Sequence, residues 1–580
     1  MPDLPLITAG VPRERVQARL PDGRIFEAPP GTPLKDIMAA IEGQAAHYSI
    51  QAAIVNGKLR ELTFPLTADA DVVPVAHTDT DGARIYRRSL VFLLVTAAAE
   101  LFPTAEVFVS HSAYTGGYYC EVRGHPQGAF TQVELNQIER RMREIVATDE
   151  PIVKSQVPVS EAIEIFKAEG EEDKARLMAH RNKGSLVLYG LRHHRDYFQG
   201  YMVPSTGYLQ TFALHAFPPG FILQFPHQDS PRELPPVRPY PKIFTVFEES
   251  GRWLDRLGIR SVGALNDMVA AGRLSEVALV TEALHWSRLS HIAADINARR
   301  DSIKVVLIAG PSSSGKTTFS KRLAVQLLAH GLHPFPIGLD DYFVSREKTP
   351  RDAKGDYDYE SLRAVDVELF NRNLLDLMNG SAVFMPRYNF LTGQRETGPT
   401  VRLGPDSIII VEGIHGLNPA LVPDLDPGCL YRVYVSALTQ LNLDRHNRVS
   451  TTDSRLIRRI VRDAATRGYS ATATLQRWEA VKRGEKQNIF PFQEYSDAIF
   501  NSALVYELAV LRPLAEPLLL QVRPDTPEYR EANRLLSFLQ WFLPASTDYV
   551  SDYSILSEFI RKKTVFDTLD LTRFHTQPDE

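Results

Sequence analysis

Gly310-Pro311-Ser312-Ser313-Ser314-Gly315-Lys316-Thr317 is the stretch whose reading decides the fold of this chain. A loop of this spacing turns successive backbone N–H groups toward one anion, and the dipole of a helix that follows adds partial positive charge at the same place. Lys316 then reaches the outer phosphates, and the Thr317 hydroxyl can ligate a divalent cation. Both flanks agree. The apolar run 304–309 has the length and β-branching of a buried strand. Beyond the loop, Phe319, Leu323 and Leu327, with Ala324 and Leu328, line one helical face that stops at Gly331. A plain Gly/Ser-rich turn is the competing reading, and it leaves that strand and helix unaccounted for. Gly310, Ser312, Ser313, Ser314, Gly315, Lys316, Thr317 and Thr318 are the candidate phosphate-binding set.

Downstream, strands read at 335–339, 408–411, 431–435 and 498–500 alternate with helical patterns. That alternation predicts a doubly wound parallel sheet with ligands at the carboxyl ends of its strands. Asp340 and Asp341 close the second strand, where a carboxylate can take the proton of an attacking hydroxyl. Glu412 closes the run 408–411, placed to assist Mg²⁺ directly or through water. Turn-forming or capping acids are the alternative for each. Arg455, Arg458, Arg459 and Arg462 recur at helical spacing, with Leu456, Ile457, Ile460 and Val461 opposite. A basic face of this kind suits a mobile lid over a transferring phosphoryl group. The plainer reading is a solvated face with Arg459 paired to Asp463 one turn on.

With 580 residues the chain exceeds a single core and suggests about three or four domains. A net charge of -5 advertises no nucleic acid, and Cys120 and Cys429 give no disulfide framework, which fits a reducing compartment. Met1-Pro2-Asp3-Leu4-Pro5 lacks the basic start and apolar core of a signal peptide. The apolar run 90–101 is broken by Glu100 and too short to span a bilayer. A cytoplasmic protein without a membrane partner is expected.

The fold class is a multidomain α/β protein, divided at 1–80, 81–225, 226–300, 301–525 and 526–580. The first part carries hairpins at Asp22-Gly23 and Asn56-Gly57 and a last strand at 72–75. Between the hairpins a helix is expected, with Thr32 as N-cap, Pro33 at its first position, and Leu34, Ile37, Met38 and Ile41 buried. That order suggests a small β-grasp unit. A mixed α+β part follows, then a Pro-rich linker at 225–241 running into a helical segment at 247–299, the loop-bearing sheet, and a helical tail.

The loop, Leu339-Asp340-Asp341-Tyr342-Phe343, Tyr357-Asp358-Tyr359-Glu360, Pro386-Arg387-Tyr388-Asn389-Phe390, Val411-Glu412-Gly413-Ile414 and the run from Arg455 to Asp463 together resemble the uridine kinase and phosphoribulokinase family. The resemblance implies an ATP- and Mg²⁺-dependent P-loop kinase with Asp340 as general base for a 5′-hydroxyl. It implies that Asp358 holds ribose hydroxyls, that Tyr388 and Phe390 line the nucleoside pocket, and that Arg459, Arg462 and Arg467 reach substrate and phosphates from the lid. Thr317 and Glu412 would organise the metal. The chain departs from the family pattern at Asn389, at Gly393 where a uracil-reading His would fall, and at Tyr469 where a basic residue is usual. A lost hydrogen-bond partner for a buried polar edge costs about 1–3 kcal/mol, so uracil selectivity does not follow from the resemblance.

The N-terminal half resembles the front of threonyl-tRNA synthetase: residues 16–75 its TGS β-grasp domain, and Arg84-Ile85-Tyr86-Arg87-Arg88 with Gly116-Gly117-Tyr118-Tyr119 its second additional, editing domain. The editing constellation of His and Cys falls on Arg88, Phe92, Phe198 and Met202, so hydrolysis by this module is not expected. The adjacent His193 and His194 read as packing residues rather than a metal site. The expectation is a nucleoside kinase whose N-terminal half binds a regulatory ligand or RNA, with homo-oligomerisation left open. A kinase of another acceptor, such as a sugar phosphate or vitamin precursor, is one alternative. A nucleotide-switched, RNA-associated regulatory protein is the other.

Overall fold

The computed structural model describes residues 14–42, 49–113, 116–352, 355–561, 563–571 and 575. The first residues, from which the lack of a leader was read, lie outside them. The chain forms two compact units. One is Met1–Arg238 with Asp444–Arg448 and Pro524–Arg530; the other is Pro239–Leu443 with Val449–Arg523 and Glu531–Glu580.

In the first unit, strands Val16–Arg19, Ile25–Ala28, Ile50–Val55, Lys58–Glu61 and Ala70–Ala76 form one mixed sheet, with the first strand parallel to the last. Asn56 and Gly57 take φ of 47° and 77°, the left-handed pair that a two-residue hairpin between Val55 and Lys58 needs. The helix Leu34–Glu42 buries Leu34, Ile37 and Met38. Thr32 and Pro33 correct the expectation: they are not its cap and first residue but pair with Pro65–Leu66. The N–H groups of Leu34 and Lys35 donate to the carbonyls of Phe64 and Leu62, at 3.0 and 2.8 Å, so backbone rather than a threonine side chain satisfies the first turn. The long helix Thr80–Leu101 runs through the core, with Leu90, Phe92, Leu93 and Leu94 fully buried. No described helix is long and apolar enough to cross a membrane. A four-stranded antiparallel sheet and a three-stranded one complete this unit.

The second unit opens with helices Pro241–Leu257, Val262–Ala270 and Leu274–Ala298. The first starts ahead of the helical segment read from sequence, because Pro241 sits in the first turn, where its missing N–H costs nothing. Then come β1 (Val305–Ala309), α1 (Lys316–Ala329), β2 (His333–Gly338), β3 (Ser407–Glu412), β4 (Leu430–Ser436), α2 (Thr451–Arg462), α3 (Ala471–Asn488) and β5 (Ala498–Asn501). The strands lie in the order β2-β3-β1-β4-β5, all parallel. Every residue of the central β1 is fully buried, which is why it reads as an unbroken apolar run. Among the described residues of the region read as a helical tail, α-helix covers Tyr529–Leu539 and one turn at Ser557–Ile560, with 3-10 turns at Thr547–Tyr549 and Val565–Thr568. Between them side chains favour turns: the Ser546 hydroxyl, for one, accepts the Asp548 N–H at 3.1 Å.

Two histidines of this unit, His285 and His415, are held neutral by burial, their pKa values lowered to about 3 and about 4. The unfolded chain takes up protons below about pH 6.5 while the folded one does not, so stability falls as pH drops through that value. At pH 5 each should cost about 2 kcal/mol. Measured by urea denaturation at pH 7 and pH 5, His415→Gln should be spared about 2 kcal/mol of acid destabilisation relative to the unaltered chain, in which Glu360 and Glu412, raised to about 7, act in the opposite direction. An unchanged slope in the variant would contradict the assignment.

Candidate active site

The loop from Gly310 to Thr317 leaves the carboxyl end of β1 and enters α1. A Cβ on Gly310 would lie 1.9 Å from the Val435 carbonyl oxygen, so only glycine lets the loop start beside β4. Ser313 and Gly315 have φ of 58° and 87°, the left-handed values that fold successive N–H groups into an anion-binding nest. The Lys316 ammonium donates to the carbonyls of Gly310 and Pro311, at 2.9 and 3.2 Å. Burial lowers its pKa, against the pull of Glu412, Glu558, Glu485 and Asp340. The Thr317 hydroxyl donates to Glu412 Oε1 at 2.9 Å. Burial pushes the Glu412 carboxyl up to about 7, with Lys316 opposing.

Asp340 stands in a short turn, Leu339–Tyr342, directly after β2. It is open to solvent yet crowded by protein, and that crowding raises its carboxyl above the usual range, with Lys316 the leading counterweight. The loop lysine and this carboxylate therefore share one field. Asp341 has a structural job: its Oδ1 accepts the backbone N–H of Tyr388 at 3.2 Å. That bond fixes the hairpin of Val383–Asn389 and Gln394–Val401 beside the turn. Phe343 touches Tyr359, Tyr388 and Phe390, with ring centroids 5.8, 5.6 and 6.3 Å away. Asp358, partly buried, accepts the Glu360 N–H at 3.2 Å at the edge of this aromatic group. At Gly393 a Cβ would lie 2.7 Å from Arg346 Nε, and the Arg346 guanidinium donates to the Phe390 carbonyl at 2.6 Å. A guanidinium thus packs against the position where the family pattern puts a histidine.

Helix α2 lies over the loop, but its arginines do not form one basic face. Arg455 and Arg458 are buried, with Arg455 held by both oxygens of Glu485 (2.6 and 2.8 Å) and Arg458 paired with Glu507. Arg455 also donates to the Ser312 carbonyl at 2.9 Å. The expectation of four solvent-facing lid arginines is corrected for these two, because long guanidinium stems bury well once a carboxylate meets the head. Arg459 donates to the Ser312 hydroxyl at 2.8 Å, and also to Asp463 at 3.3 Å, the pairing of the plainer reading. Arg462 and Arg467 share Asp463 as well, at 3.4 and 3.5 Å, and Arg467 remains half exposed.

Sequence reasoning missed three acids. Glu485 accepts the Ser312 N–H at 2.8 Å, Glu507 pairs with Arg458, and Glu558 Oε2 accepts the N–H and hydroxyl of Thr318 at 3.2 and 2.8 Å. Each comes from far along the chain, and nothing local marks it.

In the first unit, Arg88 donates to the Tyr201 carbonyl at 2.6 Å, and the rings of Phe92 and Phe198 lie 5.2 Å apart. Met202 receives the Ser89 hydroxyl at 3.6 Å. The four positions that the editing resemblance singles out are therefore gathered, and packing fills them. His446, from the segment Asp444–Arg448, stacks on Phe198 at 6.2 Å and bonds Asp196 at 2.6 Å. Asp196 also holds the fully buried Lys174. His194 packs on Phe92, and burial lowers its pKa. Among the described residues no group of three or more His, Cys, Asp or Glu could hold a metal ion.

Residues 305–509 match the model of the Phosphoribulokinase / Uridine kinase family. With the loop geometry, that match makes this region a P-loop kinase region, of phosphotransferase type. The N-terminal half is similar to threonine–tRNA ligases. Identity is 34% over 197 residues to that of Laribacter hongkongensis (strain HLHK9) and 35% over 198 to that of Polynucleobacter necessarius subsp. necessarius (strain STIR1). Each alignment covers 34% of this chain and 30% of the ligase, so the chain spans about a third of the length of these relatives. Among solved structures, a possible uridine kinase from Bacillus stearothermophilus matches with TM-score 0.26 and 20% identity, over 37% of this chain and 97% of that one. A putative fructose transport system kinase from Silicibacter sp. TM1040 matches with TM-score 0.24 and 18% identity, over 36% and 98%.

Proposed function

We propose that the chain transfers the γ-phosphoryl group of ATP to a hydroxyl of a small acceptor, and that the acceptor is a nucleoside phosphorylated at its 5′-oxygen. The observation that carries this is the place of Asp340, in the turn at the carboxyl end of β2, with its carboxyl raised by crowding and the loop lysine Lys316 as the leading opposing charge. A general base needs a pKa nearer the working pH than a free carboxylate has. Asp340 takes the hydroxyl proton, Lys316 and the loop amides hold phosphate, and Arg459, Arg462 and Arg467 approach from α2 and the turn after it. Asp358, Tyr388 and Phe390 hold the acceptor. Thr317 Oγ1 and Glu412 are hard oxygen donors of the kind Mg²⁺ takes. Held there, the ion would supply positive charge to the transferring phosphates. The packed positions around Arg88 and Phe198 favour a binding or regulatory role for the synthetase-like half, with RNA or a small ligand as its partner.

Arg346 favours a second acceptor class. A guanidinium carries five donors and no acceptor, so it reads an oxygen-rich edge or an anionic group such as that of a sugar phosphate. Arg346→Ala should raise the acceptor KM about tenfold or more, as for a lost bond of about 1–3 kcal/mol, with kcat less affected. The reading as a whole is tested by ATP consumption with Mg²⁺ against ribonucleosides, deoxynucleosides, sugar alcohols and sugar phosphates. Turnover with one class assigns the acceptor; bound ATP with no stimulation by any acceptor would overturn the kinase reading.

A further inference from the structure

The P-loop already has an anion on it, and the anion belongs to the chain. Glu558 Oε2 accepts both the backbone N–H and the hydroxyl of Thr318, at 3.2 and 2.8 Å. Thr318 is the third residue of α1, so this N–H is one of the first-turn donors that no helical carbonyl can satisfy and that bound phosphates take. The other carboxylate oxygen lies 3.9 Å from Arg462 Nη1. A helix N-terminus, a threonine hydroxyl and an arginine converging on two charged oxygens is the donor set of a phosphate site.

The flanking residues hold the carboxylate there. Ile555 sits so close over Gly315 that a Cβ on that glycine would be 2.4 Å from Ile555 Cγ2. Phe559 is fully buried, its ring 5.1 Å from the Arg458 guanidinium and 6.0 Å from that of Arg462. Ile555 and Leu556 are equally buried, and Lys321 on α1 pairs with Asp567 at 2.7 Å.

We infer that residues 554–560 form an autoinhibitory strap in which Glu558 takes the place of a nucleotide phosphate and Phe559 covers the arginines of α2, so that ATP binds only as the strap moves off. This rests on the reading that the loop holds nucleotide phosphates. Removing the charge at 558 weakens the strap without removing any of its apolar anchors. Removing Asp567 loosens it at a point that touches neither loop nor nucleotide.

The test is Mg·ATP binding by equilibrium dialysis to the full chain, to Glu558→Gln and to Asp567→Asn, with hydrogen–deuterium exchange followed at residues 554–560. Glu558→Gln should bind about tenfold more tightly or better, the scale of a charge-assisted hydrogen bond. Asp567→Asn should shift affinity the same way by less, and ATP should speed exchange across the strap in the unaltered chain. Equal or weaker binding by Glu558→Gln, or protection of 554–560 by ATP, overturns the strap and makes Glu558 a structural or nucleotide-holding residue. If the unaltered chain and both variants bind no ATP, the phosphate-loop reading itself fails and the strap with it.

Discussion

Asp340→Asn is expected to lower kcat by about 10²–10⁴ while leaving ATP affinity within a few fold, the usual size of a lost general base. The substitution keeps the shape of the side chain and its place in the turn after β2. What goes is the ability to receive a proton, together with one negative charge in the field of Lys316. The loop donors and the Thr317–Glu412 pair are untouched, so nucleotide should still bind. Single-turnover kinetics with saturating ATP and acceptor would separate the two effects. A loss confined to KM would make Asp340 a binding residue and move the search for the base to Glu360, whose carboxyl burial pushes up to about 7.

Glu507→Ala should lower stability by about 3–5 kcal/mol, because it strands a fully buried guanidinium. Arg458 has no exposed surface, and its remaining bonds run to the Ser502 hydroxyl and carbonyl and to the Ser313 carbonyl. None of these carries a compensating charge. Replacing the pair together, Arg458→Met with Glu507→Leu, should recover most of the loss, since apolar pairs of similar volume commonly match buried ion pairs. Urea denaturation of the single and double variants decides it. Arg459→Ala makes the contrast: its partners are Ser312 and Asp463 near the loop, so its cost should fall on phosphoryl transfer.

What the sequence made legible follows from the range of the interactions. The strands β1 and β3 could be read because a central parallel strand is buried on both faces and is written as one apolar run. The loop could be read because its chemistry is local: glycines where φ is positive or a neighbouring carbonyl presses close, a lysine, a threonine. Helix α2 was only half legible. Its spacing shows an amphipathic helix, yet whether Arg458 faces water or a buried acid depends on Glu507, which is remote in sequence. Glu485 and Glu558 were invisible for the same reason, and Glu558 lies in a stretch read merely as a helical tail. The start of the first helix was misread because Thr32 and Pro33 carry a capping signal that pairing with Pro65–Leu66 overrides.

The first unit is finished late in synthesis. Lys174 and Asp196 leave the ribosome well before His446, which belongs to the same unit. At about 5–20 residues per second, the interval between residues 238 and 444 lasts on the order of 10–40 s. Throughout it the buried lysine and aspartate have each other but not the imidazole. A nascent chain interrupted in that window would carry an N-terminal module with an unfilled polar pocket, a form for chaperones or proteases to meet before the last strand of the parallel sheet, Ala498–Asn501, has been made.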